Sequence, residues 1–548
     1  AAGVPPRWSR QRRRRASRRV RNDAAAVAAE IGASSSRTDP LSGCSRSRNH
    51  PCYRNDDGCK TGCYVDCLSL TAVNGQAAMP RPATNLLRIM TKYGSQETVT
   101  EIQRETLYRL VQSDVQGEVF LPGDLWSSDF GGVVQRTPRV VVRPQNEQDI
   151  FHCFSVAKDV GITVSFRGAG HSCHGQTLSD GGILIENVDD SADFKLLDDG
   201  QVEVSSKTRW HNLEKGLNEQ RRSIPVTTDY LHLSVGGTLS VGGYGIHSVT
   251  RGAQVDHVTK LRLLLPDGTS RWCSVNEHRD LFRFSLAGLG QLGFIDKVVT
   301  ETVPHRRFTR LYKYSYRKIV EFLDSLTWMQ GWSGAWPSHF CALVGYGQTL
   351  SEFGFEHSNQ KEAEGHLNAD ISNDLLNPSF KGVFQDYRFT LHRSLTGYIN
   401  SDKDVYRVWA DYAFEYSNFR RFLLFVAALR FKGVFGSFLD RIYILACRRP
   451  ETPTAFPFEV CGTRPPPVKF GVGLYNTVPR GNERALNQVT RAMEICLGKC
   501  LELEGRPYLY GWHELDAVKI KNLYGPDYDR FLELKRQQDP NNIIQSLW

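Results

Sequence analysis

The chain has 548 residues, of which 40% are hydrophobic and 23% charged, and a formal net charge of +9. That length suffices for more than one domain and a sizeable core, and the composition is that of a globular protein, which excludes a fibrous or wholly disordered chain. The charge is local: residues 1–78 hold 14 Lys and Arg against 6 Asp and Glu, and the remaining residues hold 54 against 53, so the body is nearly neutral and gives no reason to expect a nucleic-acid partner.

The first 78 residues differ in kind from the rest. Residues 12–15 are all arginine, an Ala/Ser-rich stretch runs over 24–36, five of the thirteen cysteines follow (Cys44, Cys52, Cys59, Cys63, Cys67), and the first methionine is Met79. Three readings stand. One is a basic, acid-poor segment that targets an organelle. The second is a small Cys-rich module, against which the spacings match no strong zinc pattern and His50 stands alone. The third is low-complexity sequence upstream of a start at Met79. Residues 79–125 read as a helical segment. The other eight cysteines, from Cys153 to Cys500, are scattered and expected as small buried hydrophobes, so neither a disulfide framework nor a metal site is expected. No run of about 18 apolar residues exists, so no membrane span is expected; the stretch 422–429, flanked by Arg420, Arg421 and Arg430, reads as a buried helix.

From Pro138 the pattern becomes an α/β alternation. Residues 139–142 form a strand, Asn146 is an N-cap with Asp149 in the place of a capping-box acid, and Ile150, Phe151, Phe154 and Ala157 keep helical spacing up to a C′ glycine, Gly161. The β-branched run 162–166 then leads straight into Arg167-Gly168-Ala169-Gly170-His171-Ser172. Glycines without Cβ atoms let successive N–H groups face one concavity that holds a phosphate, and His171 follows directly. Further strands are expected at 182–185, 202–205, 258–265 and 295–300. Glycine clusters again at 235–243 and at 288–293, and three such loops would line one elongated ligand. After Pro304 aromatics become dense (Trp328, Trp332, Trp336, Phe340, Tyr346, Phe353), and Leu486, Val489, Met493, Cys496, Leu497, Cys500 and Leu503 form a core-facing stripe on a late helix. A second domain over 306–507 is expected. The region 531–544 reads as a helix followed by an extended tail.

Three segments carry a resemblance. Phe166-Arg167-Gly168-Ala169-Gly170-His171-Ser172 with Gln176 nearby is similar to the flavin-attachment segment of the FAD-linked oxidoreductases of the p-cresol methylhydroxylase and vanillyl-alcohol oxidase type. Thr228-Asp229-Tyr230-Leu231-His232-Leu233-Ser234-Val235-Gly236-Gly237-Thr238-Leu239-Ser240 is similar to the segment that holds the catalytic Asp in cytokinin dehydrogenases. Gly288-Leu289-Gly290-Gln291-Leu292-Gly293-Phe294-Ile295 is similar to a third flavin-lining loop. The likeness covers 126–305 well and 306–548 loosely. It implies an α+β, two-domain flavoprotein: an FAD-binding domain over 126–305 completed by the chain end, 508–548, and a substrate domain over 306–507 between them. It implies FAD bonded covalently through His171, with Phe166, Gly168, Ala169, Gly170, Ser172, Gln176, Asp229, Ser234, Ser240 and Ile295 at the cofactor, and Tyr508 reaching it in a Tyr-Leu pair. The middle glycine motif contains no cysteine, which argues against a second, cysteinyl link. Two departures stand out. No carboxylate lies around Trp336-Pro337-Ser338-His339-Phe340, where the family has an acid at the substrate entrance, and the chain end lacks the family's Ser-Pro-Gly-Gln.

The resemblance implies a cytokinin dehydrogenase-like oxidation of a C–N or C–O bond in a small organic substrate, with oxygen or a quinone as electron acceptor. Asp229 would be the base, its acidity weakened by burial; the plainer reading is a turn or cap carboxylate. His174, His232 and His247 are expected in structural hydrogen bonds and Cys173 as a packed thiol. Two alternatives stay open: a sugar or secondary-metabolite alcohol oxidase on the same fold, and a flavin-binding protein without catalysis.

Overall fold

The computed structural model describes residues 101–547 apart from 331–335, 367–377, 402–403, 451–453 and 463–467. The expectations for 1–78 and for 79–100, and Trp332, lie outside the described residues. The described part of 79–125 begins with the helix Glu101–Gln112.

The first layer is a mixed four-stranded sheet in the order Glu118–Phe120, Val140–Arg143, Ile183–Glu186, Val164–Arg167. The outer pair is antiparallel and the other two pairings are parallel. The helix Glu147–Val160 connects two of the strands. Asn146 accepts the Asp149 N–H at its N-terminus, and Gly161 closes it in the left-handed region at φ 71°. The Asp149 carboxylate does not reach back to its cap, as the capping-box spacing suggested. It accepts the N–H groups of Gln116, Gly117 and Gln145 at 2.7, 2.9 and 2.7 Å, so it fastens the preceding strand to the helix N-terminus. The chain end returns here: Val164 N–H donates to the Ile543 carbonyl and Gln545 N–H to the Val164 carbonyl. Ile543 and Ile544 are buried with Val164, Ile183 and Phe154.

A second, antiparallel sheet has the order Phe194–Leu196, Val202–Ser205, Phe294–Thr300, Val258–Leu264, Ser270–Ser274. Its core is shared with Trp210, Leu239, Phe282 and the late helices Ala517–Tyr524 and Pro526–Gln538, through Ile520, Tyr524, Phe531 and Leu534.

The third layer is an eight-stranded antiparallel sheet spanning Phe308–Tyr316 to Arg506–Pro507 in chain order. Alternation along its strands decides what faces the site. On Val405–Phe414, Leu439–Arg448 and Val468–Pro479, one set of side chains (Val408, Ala410, Tyr412; Ile442, Ile444; Val472, Leu474) packs with Phe419, Phe422, Val489 and Met493 of the helices Tyr416–Phe431 and Glu483–Glu502. The residues between them, Trp409, Asp411, Tyr443 and Tyr475, belong to the other face. The 422–429 stretch lies within a helix whose Phe422, Leu423 and Val426 are buried, and the 486–503 stripe is buried as its spacing required. The described residues of 77–548 fall in one compact unit, and near residue 305 the chain passes from the second sheet to the third. No described helix is long and apolar enough to cross a membrane.

Candidate functional site

The three glycine loops converge. The first leaves the strand Val164–Arg167. The second forms the short helix Val235–Leu239, with Ser234 at its N-cap. The third is tied to the second by Ala287 and Leu289 N–H bonds to the Leu239 and Ser240 carbonyls, both 2.8 Å. Side chains at these glycines would fill the junction. A Cβ on Gly168 would run into Ser234 Oγ, and one on Gly290 would crowd the Phe166 ring. At Gly170, where φ is +69°, a Cβ would strike the Arg167 guanidinium, which lies beneath the loop and donates to the Leu125 and Ser128 carbonyls. The N–H groups of Gly168, Ala169, Gly170 and His171 meet no acceptor among the described residues, and the buried Ser234 Oγ has no hydrogen-bond partner. A bare concavity of N–H donors with an unpartnered hydroxyl fits the phosphates of a dinucleotide such as FAD.

Several residues expected at the cofactor are used by the protein itself. Ser172 Oγ donates to Asp129 Oδ2 at 3.0 Å, and Asp129 also accepts the N–H groups of Gly175 and Gly132. Burial raises the Asp129 pKa against these bonds. Gln176 Nε2 donates to the Leu509 and Gly511 carbonyls at 2.8 and 2.9 Å, which ties the first loop to the returning chain. Ser240 Oγ donates to the Gly236 carbonyl. The Ile295 side chain lies in the core of the second sheet. Phe166 packs edge-on against Phe154 and Phe294.

His171 stacks on Phe130 at 3.8 Å between centroids, with Tyr230 5.2 Å and Trp409 6.5 Å away. Desolvation, reinforced by the Arg407 charge, pushes its pKa down to about 3. The ring is therefore neutral at physiological pH and keeps a nitrogen lone pair. One residue before Tyr230, the half-buried Asp229 carboxylate accepts the Tyr443 hydroxyl at 2.7 Å and the Ile246 N–H at 2.9 Å. Burial pushes its pKa up to about 6, against both bonds. Asp229 is thus no helix cap: its partners come from a loop and from the third sheet, and its basicity lies near neutrality. Tyr508 accepts the Gly243 N–H with its hydroxyl and sets its ring edge-on to Tyr244.

The remaining histidines serve the packing. His174 lies against Trp512 and 3.6 Å from Glu514, His232 lies beside His211 and His392, and His247 bonds Glu356 at 2.9 Å. Cys173 is fully buried and its thiol is pushed far up by desolvation. The sequence around His339 shows no carboxylate, but strand pairing brings one near: Glu356 N–H donates to Ser338 Oγ. Burial opposes ionisation of Glu356, yet His247 and Arg388 outweigh it and hold its pKa below the usual range. His339 itself is buried and stacked on Tyr387. Among the described residues no cluster of His, Cys, Asp or Glu is arranged to hold a metal ion. Asp129, Tyr443, Trp409, Asp411, Tyr475 and Tyr510 were not singled out from sequence; the last five lie in the third sheet or the segment beside it, and strand alternation was the signal that could have found four of them.

The three glycine loops thus bring together backbone N–H groups without acceptors among the described residues, a neutral imidazole, and a weakly acidic carboxylate whose neighbour Tyr230 lies 5.2 Å from that imidazole. Residues 138–274 match the FAD binding domain family. The chain is 33% identical over 199 residues to an uncharacterized oxidoreductase, ORF5 of the fasciation locus of Rhodococcoides fascians, covering 36% of this chain and 44% of that protein. It is 30% identical over 205 residues to cytokinin dehydrogenase 9 of Oryza sativa subsp. japonica and 35% identical over 193 residues to cytokinin dehydrogenase 2 of Arabidopsis thaliana, covering 39% and 38% of their lengths. The chain thus spans less than half the length of these relatives.

Proposed function

We propose that this protein is an FAD-dependent oxidoreductase, cytokinin dehydrogenase-like, which oxidises a C–N or C–O bond of a small organic substrate. The observation that carries the reading is Asp229, held by Tyr443 and Ile246 and followed by Tyr230, whose ring lies 5.2 Å from that of His171. FAD, when bound, would supply the two-electron acceptor, with oxygen or a quinone as the final acceptor. The N–H groups of residues 168–171 and Ser234 Oγ would hold its phosphates, and His171 would be its covalent attachment point. Asp229 takes the proton from the substrate N–H or O–H as the adjacent carbon gives up hydride. The Tyr443 hydroxyl and Ile246 N–H fix the carboxylate in one orientation, so that its free lone pairs face the substrate.

The test is a visible spectrum of the purified chain followed by anaerobic titration with a panel of amines and alcohols. A flavin spectrum that bleaches with a member of the panel supports the reading. A protein with no flavin, after reconstitution with FAD has also been attempted, overturns it. A flavin that no member of the panel reduces favours a flavin-binding protein without catalysis.

A further inference from the structure

A second carboxylate that the reaction above does not use lies beyond Tyr443 from Asp229. Asp411 lies on the strand Val405–Phe414, between Ala410 and Tyr412 of the helix-side core. Its Oδ2 accepts the Tyr510 hydroxyl at 2.6 Å and its Oδ1 the Tyr475 hydroxyl at 3.2 Å. The Tyr475 ring is 6.3 Å from that of Tyr443, the tyrosine that donates to Asp229. A row therefore runs Asp229, Tyr443, Tyr475, Asp411, Tyr510. A phenol has one proton to donate, and in this row all three phenols use it on a carboxylate. What the row still presents is lone pairs, so whatever binds there must bring hydrogens.

Charge points the same way. Several other buried carboxylates are paired with arginine, Glu214 and Glu356 with Arg388 and Asp256 and Glu459 with Arg449, whereas Asp129 takes only a hydroxyl and two backbone N–H groups. Among the described residues Asp229 and Asp411 form no ion pair: Tyr443 and the Ile246 N–H donate to the first, Tyr475 and Tyr510 to the second. A desolvated carboxylate without a cation is costly, and the usual remedy is a positive partner. The wall beside Asp411 is aromatic. Trp409 stacks on Tyr475 at 4.4 Å and on Tyr398 at 6.0 Å, is 6% exposed, and its Nε1 has no hydrogen-bond partner among the described residues. Indole and phenol faces attract cations.

We infer that Asp411, with Tyr475 and Tyr510, contacts the substrate and sets its class: the cleft takes a molecule bearing an ammonium group in preference to a neutral alcohol of the same shape. This rests on the reading that the Asp229 cleft is the substrate site, and it selects C–N over C–O substrates within that reading.

The test is calorimetric binding of benzylamine, cationic at neutral pH, and of benzyl alcohol to the full chain under anaerobic conditions. Benzylamine should bind about tenfold or more tightly than the alcohol, the scale of a charge-assisted contact. Asp411→Asn should remove most of that ratio by weakening benzylamine far more than benzyl alcohol. Tyr475→Phe, which keeps the ring and loses the hydroxyl, should reduce the ratio in part and serves if Asp411→Asn does not fold. Equal affinities in the wild type, or a ratio unchanged in both variants, overturn the inference. Flavin content and reduction are read on the same samples. A flavin-free protein that keeps the preference sustains this inference and overturns the redox reading. A flavin-loaded, reducible protein without the preference does the reverse.

Discussion

At the scale of single residues, the account depends on two side chains whose surroundings set their protonation. Asp229 must be ionised to accept a proton, and burial raises its pKa to about 6. Substrate reduction of the flavin should therefore rise with pH through about 6 and level off above it, as read by anaerobic stopped-flow spectroscopy. A profile flat from pH 5 to 8 would assign the base elsewhere. His171 is neutral for the opposite reason, since burial penalises its charged form. Acid-precipitated protein should stay yellow, with the flavin mass on the peptide containing His171, and His171→Ala should release its flavin on the same treatment. A colourless wild-type pellet with a yellow supernatant would remove the covalent link. His339 bears on substrate choice. It is buried against Tyr387 where the resembling family has an acid, so isoprenoid adenines lose an acceptor for a ring N–H. An unpaired N–H costs about 1–3 kcal/mol, or about one to two decades in efficiency, and efficient turnover of such adenines would refute that.

At the scale of elements, the glycine positions are where sequence and structure correspond most directly. Gly170→Ala would place a Cβ against the Arg167 guanidinium at φ +69°, and should cost about 1–3 kcal/mol and lower the bound flavin. Thermal unfolding and the flavin-to-protein ratio measure both, and a variant unchanged in both would show that the loop is not a tight cradle. These glycines, His171 and Asp229 were legible because turn geometry and a specific motif depend on local sequence. So were the helix Glu147–Val160, with its Asn146 and Gly161 caps, and the strand Val202–Ser205. Tyr443, Tyr475 and Asp411 were not, because each acquires its role only when strands distant in sequence pair and turn alternate side chains to one face. Asp129 was hidden for a related reason: it acts through a loop more than 40 residues later. The strand Phe194–Leu196 has three residues and too little pattern to announce itself.

At the scale of the whole molecule, the chain end holds the site together from behind. Asp539 accepts the Ile543 and Ile544 N–H groups, Lys535 Nζ donates to the Gln291 and Ile544 carbonyls, and Gln291 Nε2 donates to the Gln545 carbonyl. The end thus clamps the third glycine loop and the strand that leads to His171. Truncation after Gln538 would remove two buried isoleucines and these bonds, and should give a protein of lower Tm with little flavin. The clefted carboxylates also act on the whole fold. Asp229 and Asp411 both titrate near 6 in the folded chain against an ordinary 3.8. The folded state therefore holds their protons more tightly than the unfolded chain does, so their contribution to stability is full below about pH 4 and is lost as pH rises through about 6. The proposed role of Asp229 is that of a base working on a substrate beside a bound flavin. Its most direct measurement is the anaerobic rate of flavin reduction at saturating substrate in the wild type and in Asp229→Asn, with flavin content checked in both. The expected result is equal flavin content and a rate lower by about 10² or more in the variant. Equal flavin content with a near-normal rate would contradict the claim.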